Sequence, residues 1–122
     1  MVKIYGIKNC STMKTAFDWC EEHGVEYEFH DYKKQGVPRA LLLPWCRQLG
    51  WKSLVNARGT TWRKLSATQQ GITTQAEAIA LMLEYPSLIK RPVVAVTTMS
   101  GAQLLVGFDP QLFASFLKAA GQ

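Results

Sequence analysis

The chain has 122 residues and a mass of 13.7 kDa, which allows one compact domain with a core of its own. Hydrophobic residues make up 48% and charged residues 19%, a balance that excludes an intrinsically disordered chain. The net charge of +5 suits an anionic ligand, but the basic residues are scattered, which argues against a nucleic-acid-binding protein. No stretch approaches the ~18 apolar residues of a membrane span, and the N-terminal residues turn polar at Lys8 before a signal peptide could form. The sequence therefore predicts a cytoplasmic protein that is not attached to a membrane.

The N-terminal part predicts a strand, a helix and a second strand. Residues 2–7 are mostly apolar, as in a strand covered on both faces. The helix that follows should end at Gly24, and its apolar stripe consists of Met13, Ala16, Phe17 and Cys20. Over residues 26–31, Tyr27, Phe29 and Asp31 alternate with Glu26, Glu28 and His30, which predicts a strand. Because a short helical crossover joins them, the two strands should be parallel.

The middle of the chain predicts a helical insert. One helix could begin at Pro38, and Pro44 should kink or split it. Residues 51–64 have the composition of an extended or looped segment. A capping box at residues 74–77 predicts a second helix, which should stop before Pro86. The apolar faces of the two helices are expected to contain Leu41, Leu42, Trp45 and Leu49 in the first, and Ile79, Met82 and Leu83 in the second.

The C-terminal part predicts a hairpin and a last helix. Residues 92–97 carry the strongest strand pattern of the chain, Ser100 and Gly101 supply a turn, and residues 103–106 form the returning strand. Asp109 is predicted as the N-cap of the final helix and Pro110 as its first residue. The apolar stripe of this helix should consist of Phe113, Phe116, Leu117 and Ala120, with Gly121 as its C-terminal cap.

Together these elements run β-α-β, a helical insert at about residues 38–85, then β-β-α. This order predicts an α/β protein with a thioredoxin-like mixed sheet and helices packed against it. No repeat, linker or low-complexity segment interrupts the chain, so we expect a single domain over residues 1–122.

Cys10 is the candidate catalytic residue, because it lies where the first strand gives way to the first helix. Unpaired N–H groups and the helix dipole favour the thiolate at such a position. Asn9 could cap the helix, the Thr12 hydroxyl could reach back toward the sulfur, and Lys8 and Lys14 would add positive potential. The alternative is a small buried residue without reactivity.

The other two cysteines have a weaker case for chemistry. Three cysteines without a CxxC pair predict neither a disulfide scaffold nor a zinc site, and free thiols suit a reduced compartment. Cys20 shares the stripe of Met13 and is predicted to be core. Cys46 could resolve a disulfide of Cys10 only if the fold brought the two within reach. Met13 occupies the place of the second thiol of a CxxC motif, which favours a mixed disulfide or a sulfenate over an internal disulfide.

Arg58 and Arg91 are the candidate anion-binding residues. Arg58 lies in a loop of small and polar residues, and Arg91 precedes Pro92 at the start of the predicted hairpin. In a thioredoxin-like sheet, this is where a proline, often in the cis form, faces the active cysteine. An Arg side chain can hold a carboxylate or an oxyanion with two hydrogen bonds. Each arginine could instead be an ordinary solvated surface residue.

The motifs resemble those of the arsenate reductase-like family, which includes the ArsC, Spx and YffB branches. The resemblance rests on residues 2–16 around Cys10, on the loop 56–65 and on the segments 86–93 and 106–110, which together span nearly the whole chain. The sequence is most similar to the YffB branch, whose members are regarded as glutathione-dependent reductases. The resemblance implies the fold deduced above.

Carried over by position, the resemblance implies that Cys10 is the catalytic cysteine and that Arg58 and Arg91 match two of three oxyanion-binding arginines. The third arginine is missing, since the matching region reads Leu105-Val106-Gly107-Phe108. A tetrahedral oxyanion would thus lose one charge-assisted partner, each of which contributes about 1.5–3 kcal/mol. The Spx branch regulates transcription by binding RNA polymerase and often carries a CxxC switch, which Met13 interrupts here.

These observations predict a monothiol reductase that acts through the Cys10 thiolate. Asn9, Thr12, Arg58, Arg91 and Pro92 would bind the substrate. Glutathione would be the co-substrate, with no bound cofactor or metal, and a glutathionylated substrate or a glutaredoxin would be the partner. The alternatives are an arsenate reductase linked to glutathione and glutaredoxin, and a non-enzymatic regulator of the Spx type that binds RNA polymerase.

Overall fold

The computed structural model describes residues 1–99 and 101–120, the last three by their backbone alone. The elements follow the chain as β1 (Val2–Gly6), α1 (Ser11–Glu22), β2 (Glu28–Asp31), α2 (Tyr32–Gln35), α3 (Arg39–Leu49), α4 (Trp51–Leu54), α5 (Thr60–Arg63), α6 (Ala67–Gln70), α7 (Gln75–Glu84), a 3-10 helix (Pro86–Leu88), β3 (Val93–Thr98), β4 (Gly101–Val106) and α8 (Pro110–Ala120). They form two compact units, of which the first combines Met1–Asp31 with Arg91–Gln122 and the second is Tyr32–Lys90. No described helix is long and apolar enough to cross a membrane.

The first unit contains a four-stranded mixed sheet in the order β2-β1-β3-β4. β1 pairs in parallel with β2 and antiparallel with β3, and β3 pairs antiparallel with β4. This topology confirms the predicted thioredoxin-like sheet, including the parallel pair joined by α1. The prediction of the C-terminal hairpin holds for residues 93–98 and 101–106, while Ser100 lies outside the described residues.

The core of the first unit lies on one face of this sheet. The register places Val2 opposite Val96 and Ile4 opposite Val94, so the four side chains share a face. Helices α1 and α8 cover that face with Met13, Ala16, Cys20, Phe113 and Leu117, all of them buried. Trp19 and Phe113 join the helices through an edge-to-face contact at 5.3 Å between ring centroids. The predicted stripe of α1 and the core position of Cys20 are therefore confirmed.

The caps of the first unit follow the sequence closely. Gly24 comes after the last turn of α1 with a φ of 67°, a conformation that glycine adopts without strain. The Asp109 carboxylate accepts hydrogen bonds from the N–H groups of Gln111 and Leu112, as predicted for the N-cap of α8. The predicted cap Gly121 lies outside the described residues, and the Ala120 side chain is not described.

One orientation in β2 differs from the prediction. The alternation placed His30 on the exposed face, but its side chain is only 8% exposed and lies 5.0 Å from the Tyr5 ring. Asp31 is also 8% exposed. Both faces of the strand are covered at its C-terminal end, and a period of two cannot reveal that.

The regular secondary structure of the second unit is helical, apart from an isolated bridge between Val55 and Ile89. Its main helices are α3 and α7, which contact each other. The capping box of α7 is present as predicted, because Thr74 Oγ1 accepts from the Glu77 N–H and the Glu77 carboxylate accepts from the Thr74 N–H. The helix ends at Glu84, before Pro86, as predicted.

The structure departs from the expectations for the second unit at three places. Pro44 does not split α3, since the helix continues to Leu49 with Leu42 and Trp45 buried; a kink at the proline stays a prediction. Residues 51–64 are only in part the looped segment that was expected, because residues 51–54 and 60–63 form α4 and α5, whose single turns are too short to show a period. Leu83 is 38% exposed and lies outside the core that Ile79 and Met82 join.

Candidate active site

Cys10 lies between β1 and α1 and is the N-cap residue of α1. Its backbone is extended, with φ −142° and ψ 129°, and its carbonyl accepts the first helical hydrogen bond from the Lys14 N–H at 3.0 Å. Asn9, which the sequence suggested as the cap, is one residue too early because the helix begins at Ser11. The Cys10 side chain is half-buried, so its sulfur combines partial shielding with access for a reactant.

The surroundings of the Cys10 sulfur favour its thiolate. Partial burial alone would raise the pKa of the Cys10 thiol. The Met13 N–H, a hydrogen bond and the positive charge of Arg91, and the Thr12 N–H outweigh that effect, and the pKa falls below its ordinary value. The sulfur makes no conventional capping hydrogen bond, so these weaker interactions act together. Thr12 contributes its backbone N–H rather than the hydroxyl suggested by the sequence.

Arg91 and Pro92 reach the site from the start of β3. The peptide bond between them is cis, the Arg91 side chain is half-buried, and Pro92 is buried. The Pro92 carbonyl accepts a hydrogen bond from the Gly107 N–H at 2.8 Å, which ties the residue before β3 to the residue after β4. The backbone that carries Arg91 is thus fixed from both strands of the hairpin.

Gly6, the last residue of β1, allows Met13 and Arg91 to come close to the same strand end. A Cβ at this position would lie within 2.6 Å of both Met13 Sδ and Met13 Cε and 3.3 Å from Arg91 Cβ. Met13 is fully buried in that space. The side chain in the place of a second CxxC thiol is therefore a packing residue, and its backbone N–H serves the Cys10 sulfur.

The two lysines near Cys10 behave differently from the sequence expectation. Lys14 forms an ion pair with Asp18 one turn later, at 2.9 Å between Nζ and Oδ2, and its side chain is 77% exposed. Lys8 is exposed as well. The positive charge that acts on the Cys10 sulfur comes from Arg91.

A cavity of about 580 Å³ opens beside Cys10 and runs along α1. At the Cys10 end it is lined by Lys8, Asn9, Ser11 and Lys14. Its middle is formed by an aromatic wall of Phe17, Tyr27 and Phe29, and its far end by Asp18 and Glu21. Within the wall, Phe17 stacks on Tyr27 at 5.2 Å with 8° between the ring planes and meets Phe29 edge to face at 5.1 Å.

Phe17, Tyr27 and Phe29 were predicted only as members of a helix stripe and a strand, although the sequence carries a signal that their rings meet. Tyr27 and Phe29 share one face of β2, and Phe17 belongs to the stripe of α1 that faces the sheet. A strand face and a helix stripe joined by a short turn pack against each other. The three rings could thus have been expected to meet.

Arg58 belongs to the second unit, in the turn between α4 and α5. Its N–H donates to the Asn56 side chain at 3.2 Å, and its carbonyl accepts from the Arg63 guanidinium at 2.9 Å. The Arg58 side chain is exposed. Its role in anion binding remains a prediction.

The pKa values of Cys20 and Cys46 are raised, whereas that of Cys10 is lowered. Burial, with a smaller contribution from Glu21, raises the pKa of Cys20 to about 11, and burial raises the pKa of Cys46. All three cysteines are free thiols. The resolving role considered for Cys46 remains a prediction.

The chemistry available at this site is nucleophilic attack by sulfur. An accessible thiol with a lowered pKa attacks disulfides and other electrophiles, and a guanidinium beside it can hold an anionic group of the substrate. Among the described residues, no three His, Cys, Asp or Glu side chains are grouped so as to hold a metal ion.

Known proteins with similar sequences and structures cover almost the whole chain. A solved structure of a protein named YFFB is 47% identical, with a TM-score of 0.86, over 94% of this chain and 97% of that one. An arsenate reductase (ArsC) related protein from Brucella melitensis is 44% identical, with a TM-score of 0.72, over 96% and 94% of the two chains. An uncharacterized protein of Haemophilus influenzae is 38% identical over 89% of this chain and 92% of its own.

More distant relatives include regulators. The global transcriptional regulator Spx of Streptococcus pneumoniae is 23% identical over 96% of this chain and 86% of its own. The model of the ArsC family matches residues 5–116, a range that includes Cys10, Arg58 and Arg91. The chain belongs to the ArsC family.

Proposed function

We propose that this protein is a glutathione-dependent monothiol reductase whose catalytic residue is Cys10. The substrate is a mixed disulfide between glutathione and another thiol. Cys10 removes the glutathionyl group, and a second glutathione regenerates the enzyme. Arg91 stabilises the Cys10 thiolate and steers an anionic group of the substrate toward it.

The observation that supports this proposal is a half-buried thiol at the N-cap of α1 that lines an open cavity, with a pKa that Arg91 helps to lower. A guanidinium that donates to a sulfur stabilises the thiolate and lowers the pKa, while the half-buried position leaves the sulfur open to a reactant. A thiol with a purely structural role needs neither feature. Cys20, buried in the same unit with a raised pKa, is the example of a structural thiol.

The reaction requires only one protein thiol. The Cys10 thiolate attacks the glutathione sulfur of the mixed disulfide; a new disulfide between Cys10 and glutathione forms while the old one breaks, and the substrate leaves as a thiolate that takes up a proton. A second glutathione thiolate attacks the glutathione sulfur of this adduct, which releases oxidised glutathione and the Cys10 thiolate. Met13 cannot supply a resolving thiol, so the adduct waits for glutathione.

The experiment is to incubate the protein with oxidised glutathione and map the adduct by mass spectrometry, then to measure turnover of a small glutathione mixed disulfide with reduced glutathione. We expect one adduct on Cys10 and a turnover that the Cys10→Ser variant lacks. Cys46→Ser is the matched control and should keep both. Modification of Cys46 alone, or equal turnover by wild type and Cys10→Ser, contradicts the proposal.

Arsenate reduction linked to glutathione and glutaredoxin is the second candidate. It is favoured by the arsenate reductase (ArsC) related protein from Brucella melitensis, at 44% identity. The region 105–108 without an arginine speaks against it. Arsenate turnover in the presence of glutathione and glutaredoxin, compared with the Cys10→Ser variant, tests this candidate, and activity no higher than that of the variant removes it.

A regulatory role of the Spx type is the third candidate, since several relatives of 22–24% identity carry that name. In the proposed form the protein would bind RNA polymerase. The test is size-exclusion chromatography of this protein alone and mixed with purified RNA polymerase. If the two do not co-elute, the regulatory role is removed.

A further inference from the structure

We propose that the cavity along α1 holds an extended protein segment next to the glutathionylated cysteine, so that the substrate is a glutathionylated protein rather than a small mixed disulfide. This inference rests on the proposed function of Cys10 and names its substrate class. The occupant should carry a large apolar or aromatic residue about three positions from its cysteine and a basic residue about five positions from it.

The cavity is longer than a glutathione molecule. Its lining begins at Lys8 and Cys10 and extends to Glu21, eleven residues farther along α1. At the helical rise, this corresponds to roughly 16 Å. An extended chain covers at most ~3.3–3.6 Å per residue, so a tripeptide such as glutathione spans about 10 Å and five residues fill the cavity.

The middle of the cavity is aromatic and suits a large apolar side chain. The aromatic wall lies near Phe17, which comes seven residues after Cys10, or roughly 10 Å along the helix. The rings of Phe17, Tyr27 and Phe29 are half-buried, and they stabilise one another by stacking and edge-to-face contact. Such a wall binds a large apolar side chain, and glutathione has none to offer at that distance.

The two ends of the cavity carry opposite charges. The exposed Lys8 lies at the Cys10 end, and the exposed Glu21 at the far end. Between them, Lys14 and Asp18 neutralise each other in the ion pair. The remaining negative charge at the far end favours a basic residue of the segment, about five positions from its cysteine.

In the reaction, this segment is the leaving group. The Cys10 thiolate attacks the glutathione sulfur, the disulfide between glutathione and the protein cysteine breaks, and the protein cysteine leaves as a thiolate that is protonated by solvent. Glutathione, as the co-reactant, then removes the glutathionyl group from Cys10 as oxidised glutathione. The cavity acts by holding the segment while its cysteine departs.

The experiment compares four synthetic peptides in two pairs, each peptide with one glutathionylated cysteine. The first has a phenylalanine three positions and a lysine five positions after the cysteine, the second has serine at both, and a mirrored pair has the residues before the cysteine. We expect kcat/KM for the phenylalanine-lysine peptide of one pair to exceed that of its serine peptide by about tenfold. Equal values within both pairs overturn the inference.

Two variants locate the effect. For peptides that differ only in lysine or glutamate at the fifth position, wild type should prefer the lysine peptide. Glu21→Lys should reduce this preference by roughly twofold to fivefold, and the difference between the variant and wild type should vanish at high salt. Glu22→Lys is the matched control, because Glu22 is exposed on the same helix and does not line the cavity. Tyr27→Ala should abolish the preference for phenylalanine over serine at the third position, measured on peptides that all carry lysine at the fifth. A change of preference that is equal in Glu21→Lys and Glu22→Lys overturns the assignment to this cavity.

A final measurement separates this inference from the proposed function. If wild type turns over neither the small glutathione mixed disulfide nor any of the glutathionylated peptides, the proposed function fails. Binding of the unmodified phenylalanine-lysine peptide to Cys10→Ser protein, measured by fluorescence anisotropy, then still tests the cavity. We expect it to bind more tightly than the serine peptide, and equal affinities overturn the inference.

Discussion

Arg91 lowers the pKa of the Cys10 thiol through hydrogen bonding and its positive charge, although 80 residues lie between the two in the chain. The sheet explains this interaction. β1 and β3 are antiparallel neighbours, so the end of β1, which leads to Cys10, lies beside the start of β3, which follows Arg91. The pairing of Tyr5 with Val93 fixes that register. The electrostatics of the thiol is therefore set by strand pairing as much as by the helix end.

The first prediction concerns the pH at which Cys10 becomes reactive. Because its pKa lies below the ordinary value, its thiolate persists to lower pH, and alkylation by iodoacetamide should reach half of its maximal rate at a lower pH than with a free cysteine peptide. Arg91→Met removes both the hydrogen bond and the positive charge, so the midpoint should move up toward that of the peptide. The measurement is the alkylation rate against pH.

Arg39→Met is the control for that measurement, because Arg39 is exposed at the start of α3 and the substitution changes the net charge equally. Its midpoint should match wild type. Equal midpoints for Arg91→Met and wild type would show that Arg91 has no influence on the thiolate.

The second prediction concerns the number of accessible thiols. Cys10 is half-buried, whereas Cys20 is fully buried and Cys46 is 3% exposed, with the pKa of each raised by burial. We expect one thiol to react rapidly with a chromogenic disulfide reagent in the native protein and three in denaturant. Cys10→Ser should abolish the rapid phase. Rapid reaction of two thiols in native protein would contradict the burial of Cys20 or Cys46.

The third prediction concerns Gly6. A methyl group at this position would approach Met13 Sδ and Cε too closely, and Met13 is fully buried with Arg91 Cβ on another side. Gly6→Ala should therefore lower the free energy of unfolding by about 1–3 kcal/mol, as overpacking does. Urea denaturation measures this change.

Two further variants show whether Met13 is the cause. Met13→Leu conserves volume and alone should cost less than about 1.5 kcal/mol. Met13→Ala makes room for the new methyl group, so the effect of Gly6→Ala should shrink in that background. If Gly6→Ala changes the free energy of unfolding equally in wild type and in the Met13→Ala background, the clash is not with Met13.

The sequence was sufficient to predict the elements of the first unit, its parallel strand pair, its hairpin and the position of Cys10, because those depend on local patterns. Buried strands, the stripe of α1, Gly24 and the Asp109 cap each leave a signal within a few residues. The interaction of Arg91 with the sulfur depends on strand register, and the sequence alone gave only the layout in which such an interaction could form. The family resemblance singled out Arg91 without describing that interaction.

The second unit was harder to predict for a physical reason. Helices of one turn, such as α4 and α5, are too short to show a period, and tertiary hydrogen bonds hold the segment in place. The Leu54 carbonyl accepts from the Lys90 N–H at 2.7 Å, and the Asn56 N–H donates to the Leu88 carbonyl at 2.8 Å. Partners more than thirty residues apart leave no local pattern in the sequence. The aromatic wall differs, since its three residues were each placed on the correct face and only their meeting was overlooked.

The fourth prediction concerns the absence of a second thiol. Met13→Cys places a thiol at the third position of α1, and the side chains of an N-cap residue and of this third position approach each other, as in a capping box. After treatment with oxidised glutathione, wild type should keep glutathione on Cys10, whereas Met13→Cys should release it and form an internal disulfide between residues 10 and 13. The measurement is mass spectrometry of the intact protein and of its peptides. Thr12→Cys is the control, because Thr12 is exposed and stands one position before the one that approaches the N-cap residue, and this variant should retain the glutathione adduct on Cys10. If Met13→Cys keeps the adduct as long as wild type, the missing thiol at position 13 is not what prevents an internal disulfide. The direction of the side chain at position 13 would then be the cause.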